Sequence, residues 1–409
     1  MLRAILFASI LSAAVWAQES GPEVSVAVPV TLSAGAMYTQ RLQLINPSAS
    51  PEAAAFRAML YPTVKLGSHW FAYAAVQLRS MPYFYYDAFL SGRGVYADAI
   101  QAFVGYSFRH RGLSMVVKAG RLTSAFGSFP LRYDDADNPL IDQPLSYITE
   151  VPLRTDQVPC GTADLLSQHY GFVFNRCGGV PGGGAGLQPV TLYGLTGVEA
   201  DVSAGRIDAR FQLTSGSPAS PQALSAAPQY IQWAAGGGYT IRQGFRAGVS
   251  AFRGPYLSGN LTPLLPVATS ARDFPASGLG FDAQWARGHW STIGEWQKFW
   301  FDSPNFTTAP SVASGYGEVK RILTPRLFAA ARIGYLSTGS VLDRAGMAAG
   351  SFAPVLHSYE LGGGVWLNRF ALLKGSYSWL RADGTSGTRT DVFGIQLVTS
   401  IRSLGWSAQ

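Results

Sequence analysis

From Arg206 to Thr214 the chain alternates without a fault. Arg206, Asp208, Arg210, Gln212 and Thr214 share one parity, and Ile207, Ala209, Phe211 and Leu213 share the other. A two-residue period is the mark of a strand with one polar and one apolar face. The same separation returns at Leu279, Phe281, Ala283 and Trp285, at Leu327, Ala329, Ala331, Ile333 and Tyr335, and at Ala371, Leu373, Gly375, Tyr377 and Trp379. Around Arg57 the apolar parity is Ala58, Leu60, Pro62 and Val64, opposite Arg57, Tyr61, Thr63 and Lys65, with Met59 as the exception. One such segment fits a soluble sandwich. Recurrence over most of the chain calls for a large sheet with an apolar face throughout.

The connections between these segments narrow the choice. Short ones fall at 67–69, 109–112, 204–205, 242–244, 287–288, 324–326 and 368–369. Longer ones fall at 46–53, 82–96, 122–187, 215–228, 254–276, 302–310, 338–354 and 382–388. Short and long alternate along the whole chain, so about sixteen strands are expected, with both ends on the short-turn side. That is the pattern of a transmembrane antiparallel β-barrel, all-β, with short periplasmic turns and long extracellular loops.

Export agrees with this. Residues 1–17, MLRAILFASILSAAVWA, place Arg3 before an apolar run and end with Val15 and Ala17 at the −3 and −1 positions of a signal-peptidase site. The apolar run is too short to span a bilayer, so residues 1–17 read as a signal peptide and 18–409 as one barrel domain. Charged residues make up 13 % of the chain, about half the globular average of ~25 %. A chain with 13 % aromatics and no ~20-residue apolar helix has lipid as its expected surroundings. Nucleic acid is not an expected partner.

The connection at 122–187 is long for any compact fold. It follows the strand-like VVKAGR and carries Pro130, Pro139, Pro144, Pro152 and Pro159, which restrict its backbone. Both cysteines of the chain, Cys160 and Cys177, lie in it. In an exported protein such a pair favours a disulfide, and no CxxC or nearby His/Cys cluster points to metal. Asp134, Asp135, Asp137 and Asp142 make the loop acidic, and their spacing lacks the glycine and distal glutamate of an EF-hand. Neither a metal nor a cofactor is expected. Phe126, Phe129, Tyr133 and Tyr147 read as packing the loop against a wall.

The passage KAGRLTSAFGSF resembles the strand-to-loop passage of phosphate-selective and related sixteen-stranded porins, and DDADNPLIDQPLSY resembles an element of related barrels. About thirty residues carry this likeness. Ala125 stands where the family commonly has proline, and the chain ends IRSLGWSAQ without a terminal aromatic. Trp406 lies near that end, so the signal read by the barrel-assembly machinery is displaced. The resemblance implies a diffusion channel, often a homotrimer, with its third loop narrowing the pore. It does not transfer phosphate selectivity.

Parity assigns the lumen charges. The expected pore-lining bases are Arg41, Arg57, Lys65, Arg79, Lys118, Arg206, Arg210, Arg246, Lys320, Arg332, Lys374 and Arg402, against the acids Asp208, Asp282, Glu295, Glu318, Glu360 and Asp391. An excess of bases lowers the barrier to anions, so small hydrophilic solutes with a slight anion preference are the expected cargo. The same bases also serve as cross-barrel braces. Asp134, Asp135 and Asp137 are expected to oppose the wall carrying Arg57, Arg79 and Lys118. A plugged structural or adhesive barrel gives the same strand pattern. An enzyme is disfavoured: His69, His110 and His289 fall at short turns, His169 and His357 merely neighbour Ser167 and Ser358, and neither GxSxG nor HExxH occurs.

Overall fold

The computed structural model describes residues 24–39, 51–81, 83, 94–167, 186–191, 193–216, 219, 230–383, 389–401 and 405–408. They form a closed barrel of sixteen antiparallel strands. In chain order these are β1 (Val24–Ala27 and Val30–Tyr38), β2 (Glu52–Leu60 and Thr63–Leu66), β3 (Trp70–Met81), β4 (Gly94–His110), β5 (Leu113–Thr123) and β6 (Tyr193–Ala204). There follow β7 (Ile207–Thr214), β8 (Gln232–Arg242), β9 (Phe245–Pro255), β10 (Pro275–Arg287) and β11 (Trp290–Phe301). The last are β12 (Ser311–Ile322), β13 (Leu327–Thr338), β14 (Leu356–Trp366), β15 (Ala371–Ala382) and β16 (Arg389–Ile401 and Gly405–Ala408). Each strand pairs with the next, and β1 closes on β16 through Val30↔Ile401 and Val24↔Ala408. Closure leaves the barrel sheet without an edge, which a bilayer requires.

β1 and β2 are each interrupted once, beside Pro29 and Pro62. Proline donates no ladder hydrogen bond, so a strand can carry it only where pairing lapses. The ladder is bridged there by Tyr61 N donating to Pro29 O at 2.9 Å and Ala74 N to Pro62 O at 2.9 Å, and the register continues.

The ends of the described strands alternate between seven short and eight longer separations, as expected, which gives the strand count. The third long connection is shifted: β5 runs through Thr123 and β6 begins at Tyr193, so the loop spans 124–192. The signal region lies outside the described residues.

Leu60, Phe211, Phe281 and Ile333 are 39, 48, 50 and 61 % exposed on the outer face, because no protein covers their side of the sheet. Arginine at Phe211, Phe281 or Ile333 is expected to destabilise the barrel by about 2–4 kcal/mol near the midplane. Folding titrations into vesicles check this. The same substitution at Asp208, on the inner face, should cost far less.

Candidate functional site

The described first part of the third loop, 124–147, folds into the barrel and is fastened to the wall nearly all the way round. Its descent begins at Ser124 to Gly127. Ala125 N donates to Gln212 Oε1 at 2.8 Å, Gly127 N to Ser250 Oγ at 3.0 Å, and Arg210 Nη2 to Gly127 O at 3.0 Å. Gly127 has φ +78°, and a Cβ there would collide with the Tyr147 hydroxyl, so glycine is required for the turn. Gly120 lies within β5. A Cβ there would meet the backbone of Ala102 and Phe103.

Glu295 of β11 takes the next segment. Its carboxylate accepts from Ser128 N at 2.6 Å, Phe129 N at 2.7 Å, Tyr147 OH at 2.7 Å and Gln297 Nε2 at 2.9 Å, and from the Ser128 hydroxyl. Arg132 then reaches Glu318 of β12 at 2.6 Å.

The acidic run crosses to the opposite wall. Asp134 accepts from Thr31 Oγ1 at 2.9 Å and from the Tyr61 hydroxyl. Asp135 accepts from Ser33 Oγ at 2.7 Å, Tyr83 OH at 2.8 Å and Arg57 Nη1 at 3.3 Å. Burial alone would raise the Asp135 pKa. Arg57 and Lys374, aided by the two hydroxyls, outweigh it and hold the carboxyl below its ordinary value. Lys374 Nζ donates to the Asp135, Asn138 and Leu140 carbonyls at 2.9, 3.2 and 3.4 Å. The return leg is held by Glu360, which accepts from Ile141 N at 3.2 Å and Asp142 N at 3.3 Å, and by Arg332, which donates to Asp142 O at 2.6 Å. Arg332 is itself clamped by Glu318 at 2.6 Å and Glu360 at 3.2 Å.

The expected site residues divide into three groups. Arg57, Arg210, Arg332 and Lys374 hold the loop. Lys118 and Arg246 brace the wall: Lys118 Nζ meets Glu199 at 2.6 Å and also Asp201, and Arg246 bridges Asp208 at 2.5 Å and Asp282 at 2.7 Å. Lys118 therefore does not face the loop acids. Lys65 and Arg79 share the inner parity, Arg79 as the register partner of Arg57, and Lys320 lies over the Phe328 ring at 4.4 Å. Arg206 sits in the periplasmic turn rather than along the bore. Arg41, Arg402 and Cys177 lie outside the described residues.

The acids need two corrections. Asp134 and Asp135 are consumed in anchoring, and within their run it is Asp137 that is exposed, so the run is no open negative rim. Asp391 pairs in register with Trp379 and accepts from Tyr377 OH at 2.5 Å, on the outer face near the loop end. Glu199 and Asp201 escaped the charge count. Gly197, Glu199, Asp201 and Ser203 alternate with Val198, Ala200, Val202 and Ala204, so parity could have found them.

Above the loop the barrel is apolar. The Phe126 ring packs against Phe252 and Phe299 with centroids 5.0 and 5.6 Å away, and Tyr256, Leu261, Leu265 and Phe301 continue this core towards the long loops. Outer parts of the loop are tied to other loops, with Thr162 N donating to Asp343 Oδ2 at 2.8 Å. The seal against β14–β16 is looser. Two cavities of about 30 Å³ each lie there, sharing Asp142, Ser378 and Val392, and their further lining includes Gly35, Ser358, Ser376 and Gln396. Each has room for water. In the periplasmic half along β5–β10, the Lys118, Arg246 and Asp208 side chains keep 19, 25 and 42 % of their surface exposed.

His357 and Ser358 occupy opposite faces of β14, since His357 pairs with outward Tyr335 and Ser358 lines a cavity, so they form no dyad. His169 lies outside the described residues.

No family model matches the sequence, and no curated protein matches it. Solved structures do. OmpT, an outer membrane protein of Vibrio cholerae, in its trimer form aligns with 92 % of this chain and 99 % of its own, with a TM-score of 0.53 and 9 % identity. OmpF of Salmonella typhi, in a complex with daunomycin, aligns with 92 and 97 %, with a TM-score of 0.51 and 9 % identity. The likeness is one of fold. It matches the sixteen-stranded closure and extends over nearly the whole chain. It leaves the phosphate-selective resemblance of the third-loop passage without a family match.

Proposed function

We propose that this chain is an outer-membrane channel passing small hydrophilic solutes by diffusion, with the in-folded third loop setting the bore. The observation that carries the reading is the polarity of the inner wall. Inward positions of β5–β10 present Lys118, Asp201, Asp208, Arg210 and Arg246 as partly exposed charges, with Glu199 and Asp282 buried as their partners, while outward positions are mostly apolar. A barrel sealed throughout by apolar packing has no use for such a wall. Two cavities beside Ser376 and Ser378, each with room for about one water, lie along this side of the loop.

Selectivity is weak on this reading. Lys118, Arg246 and Arg332 each face two carboxylates, so the excess of bases does not make a positive wall and the slight anion preference loses its support. A homotrimer fits the same reading, and in-membrane cross-linking tests it.

A closed barrel is the second reading, favoured by the apolar core around Phe126, Phe252 and Phe299. Planar-bilayer recording separates the two. Small, well-defined conductance steps with a reversal potential near zero in a salt gradient are expected. Silence after verified insertion establishes the closed barrel instead.

The Cys160–Cys177 bond belongs to this proposal as a staple of the loop's outer part, closing a loop whose cross-link is worth about 3 kcal/mol in the chain-entropy model. Non-reducing peptide mapping of protein taken from the membrane should recover the two cysteines linked. Recovery as free thiols counts against export through an oxidising compartment.

A further inference from the structure

Lys298 and Arg253 point the wrong way for a pore. Glu295, Gln297, Phe299 and Phe301 of β11 are buried on the inner side, which puts Lys298 on the outer face with Trp296 and Trp300. On β9 the inner parity is Ser250, Phe252 and Gly254, and Arg253 faces out with Val249. Both cations sit near the long-loop ends of their strands. Strand register sets Trp233, Arg253, Ser277, Trp300 and Ser311 in one row across β8–β12, and Lys298 lies one step below Trp300.

Two serines face the same side. Arg253 Nη1 donates to Ser277 Oγ at 3.0 Å, and Lys298 Nζ donates to Ser311 Oγ at 3.0 Å. The half-buried Ser277 hydroxyl keeps a proton to donate onwards, while the buried Ser311 hydroxyl orients Lys298. Asp302 stands 3.9 Å from Arg253, a loose contact that leaves more than half of the arginine side chain exposed. Among the described residues Lys298 has a hydroxyl, and no carboxylate, as its partner. Charge on a lipid-facing wall is tolerated near the interface and grows costly with depth. A cation there is at its most stable when an anion meets it.

Depth identifies that anion. Trp233 and Trp300, 39 and 37 % exposed, stand in the row on either side of Arg253 and Ser277, and tryptophan on an outer wall marks the headgroup level. With strands about 4.8 Å apart and a two-residue step of about 6.8 Å, the Arg253 and Lys298 Cα atoms are roughly 12 Å apart, close enough for two long side chains to converge on one group. A guanidinium fork, an ammonium and a hydroxyl suit a phosphate oxygen cluster.

We infer that Arg253, Ser277 and Lys298, the last held by Ser311, bind the phosphate of a phosphorylated glycolipid in the outer leaflet. The acyl chains would run down the apolar strip of Val249, Leu279, Phe281 and Trp296 beneath. This rests on the outer-membrane reading, not on conduction.

The test is native mass spectrometry of the folded barrel released from micelles doped with bisphosphorylated lipid A, with its fully dephosphorylated form, or with phosphatidylethanolamine. The wild type should retain the bisphosphorylated lipid in preference to the other two. An Arg253→Gln/Lys298→Gln variant should retain about tenfold less, the loss expected for charge-assisted contacts worth some 1.4 kcal/mol in all. The charge-preserving Arg253→Lys/Lys298→Arg variant should retain most of it, and serves as the folded comparison should the neutral one fail to assemble. Equal retention by wild type and neutral variant overturns the inference. Displacement of the lipid by millimolar inorganic phosphate overturns the lipid assignment in favour of a free-anion site. Bilayer insertion measured on the same samples reports separately on the outer-membrane reading.

Discussion

Replacing Glu295 with alanine is expected to open the channel and weaken the barrel together. Among the described residues the carboxylate is the acceptor for Ser128 N and Phe129 N, and it also receives the hydroxyls of Ser128 and Tyr147. All of these groups are buried. A buried donor stripped of its acceptor costs about 1–3 kcal/mol, and neighbouring losses do not add fully, so a total of about 3–6 kcal/mol is expected. The chain has a cheaper course, which is to let 124–131 leave the wall and hydrate. Single-channel conductance should therefore rise severalfold while the temperature at which the folded band is lost on unheated gels falls. Glu295→Gln keeps the shape and one acceptor oxygen, and should give a smaller shift in both. Unchanged conductance in the alanine variant, with the barrel folded, would place the permeation path away from the loop.

The strands and turns were legible because their signal is local. A face of Ile207, Ala209, Phe211 and Leu213 declares itself within eight residues, and the environment that selects it, lipid outside and polar lumen inside, is uniform along the strand. The loop's course was not legible. Ser128 and its acceptor Glu295 are 167 residues apart, and Arg57 and Asp135 are 78 apart. No period relates such partners. Much of the fastening also runs from loop backbone to wall side chains, as at Glu295, Glu360 and Lys374, and backbone groups carry no sequence mark. Charge counting failed for a related reason: it registers the sign of Lys118 or Arg246 but not the pair of carboxylates across the ladder. Asp391 was misplaced because outer-face positions near the rim leave the hydrocarbon, where Arg389 and Asp391 are as acceptable as Phe393 and Ile395 deeper down.

Removing Arg57 should unseat the other side of the loop and make that unseating respond to pH. Arg57 donates to Tyr133 O at 2.9 Å, Gln77 Oε1 at 3.1 Å and Asp135 Oδ1 at 3.3 Å, and both partners of the ion pair are buried. In the wild type the Asp135 pKa is held below its ordinary value, against the effect of burial, by Arg57 and Lys374. A depressed carboxylate contributes stability above its unfolded pKa of about 3.9 and loses it as pH falls through the folded value. Wild-type conductance should thus stay flat from neutral pH down to about 4 and rise only in stronger acid. Arg57→Ala strands a buried carboxylate, a change that typically costs about 3–5 kcal/mol, and the Asp135 pKa moves up. Its conductance should already be raised at neutral pH, and whatever seating survives should loosen further at a higher pH than in the wild type. Arg57→Met/Asp135→Leu removes both charges, and apolar replacement of a buried pair is often close to neutral, so stability should largely return and the acid response should vanish. The double-mutant cycle reads the coupling directly. A single variant as stable as the wild type, or a double variant no better than the single, would show that the pair does not hold the loop.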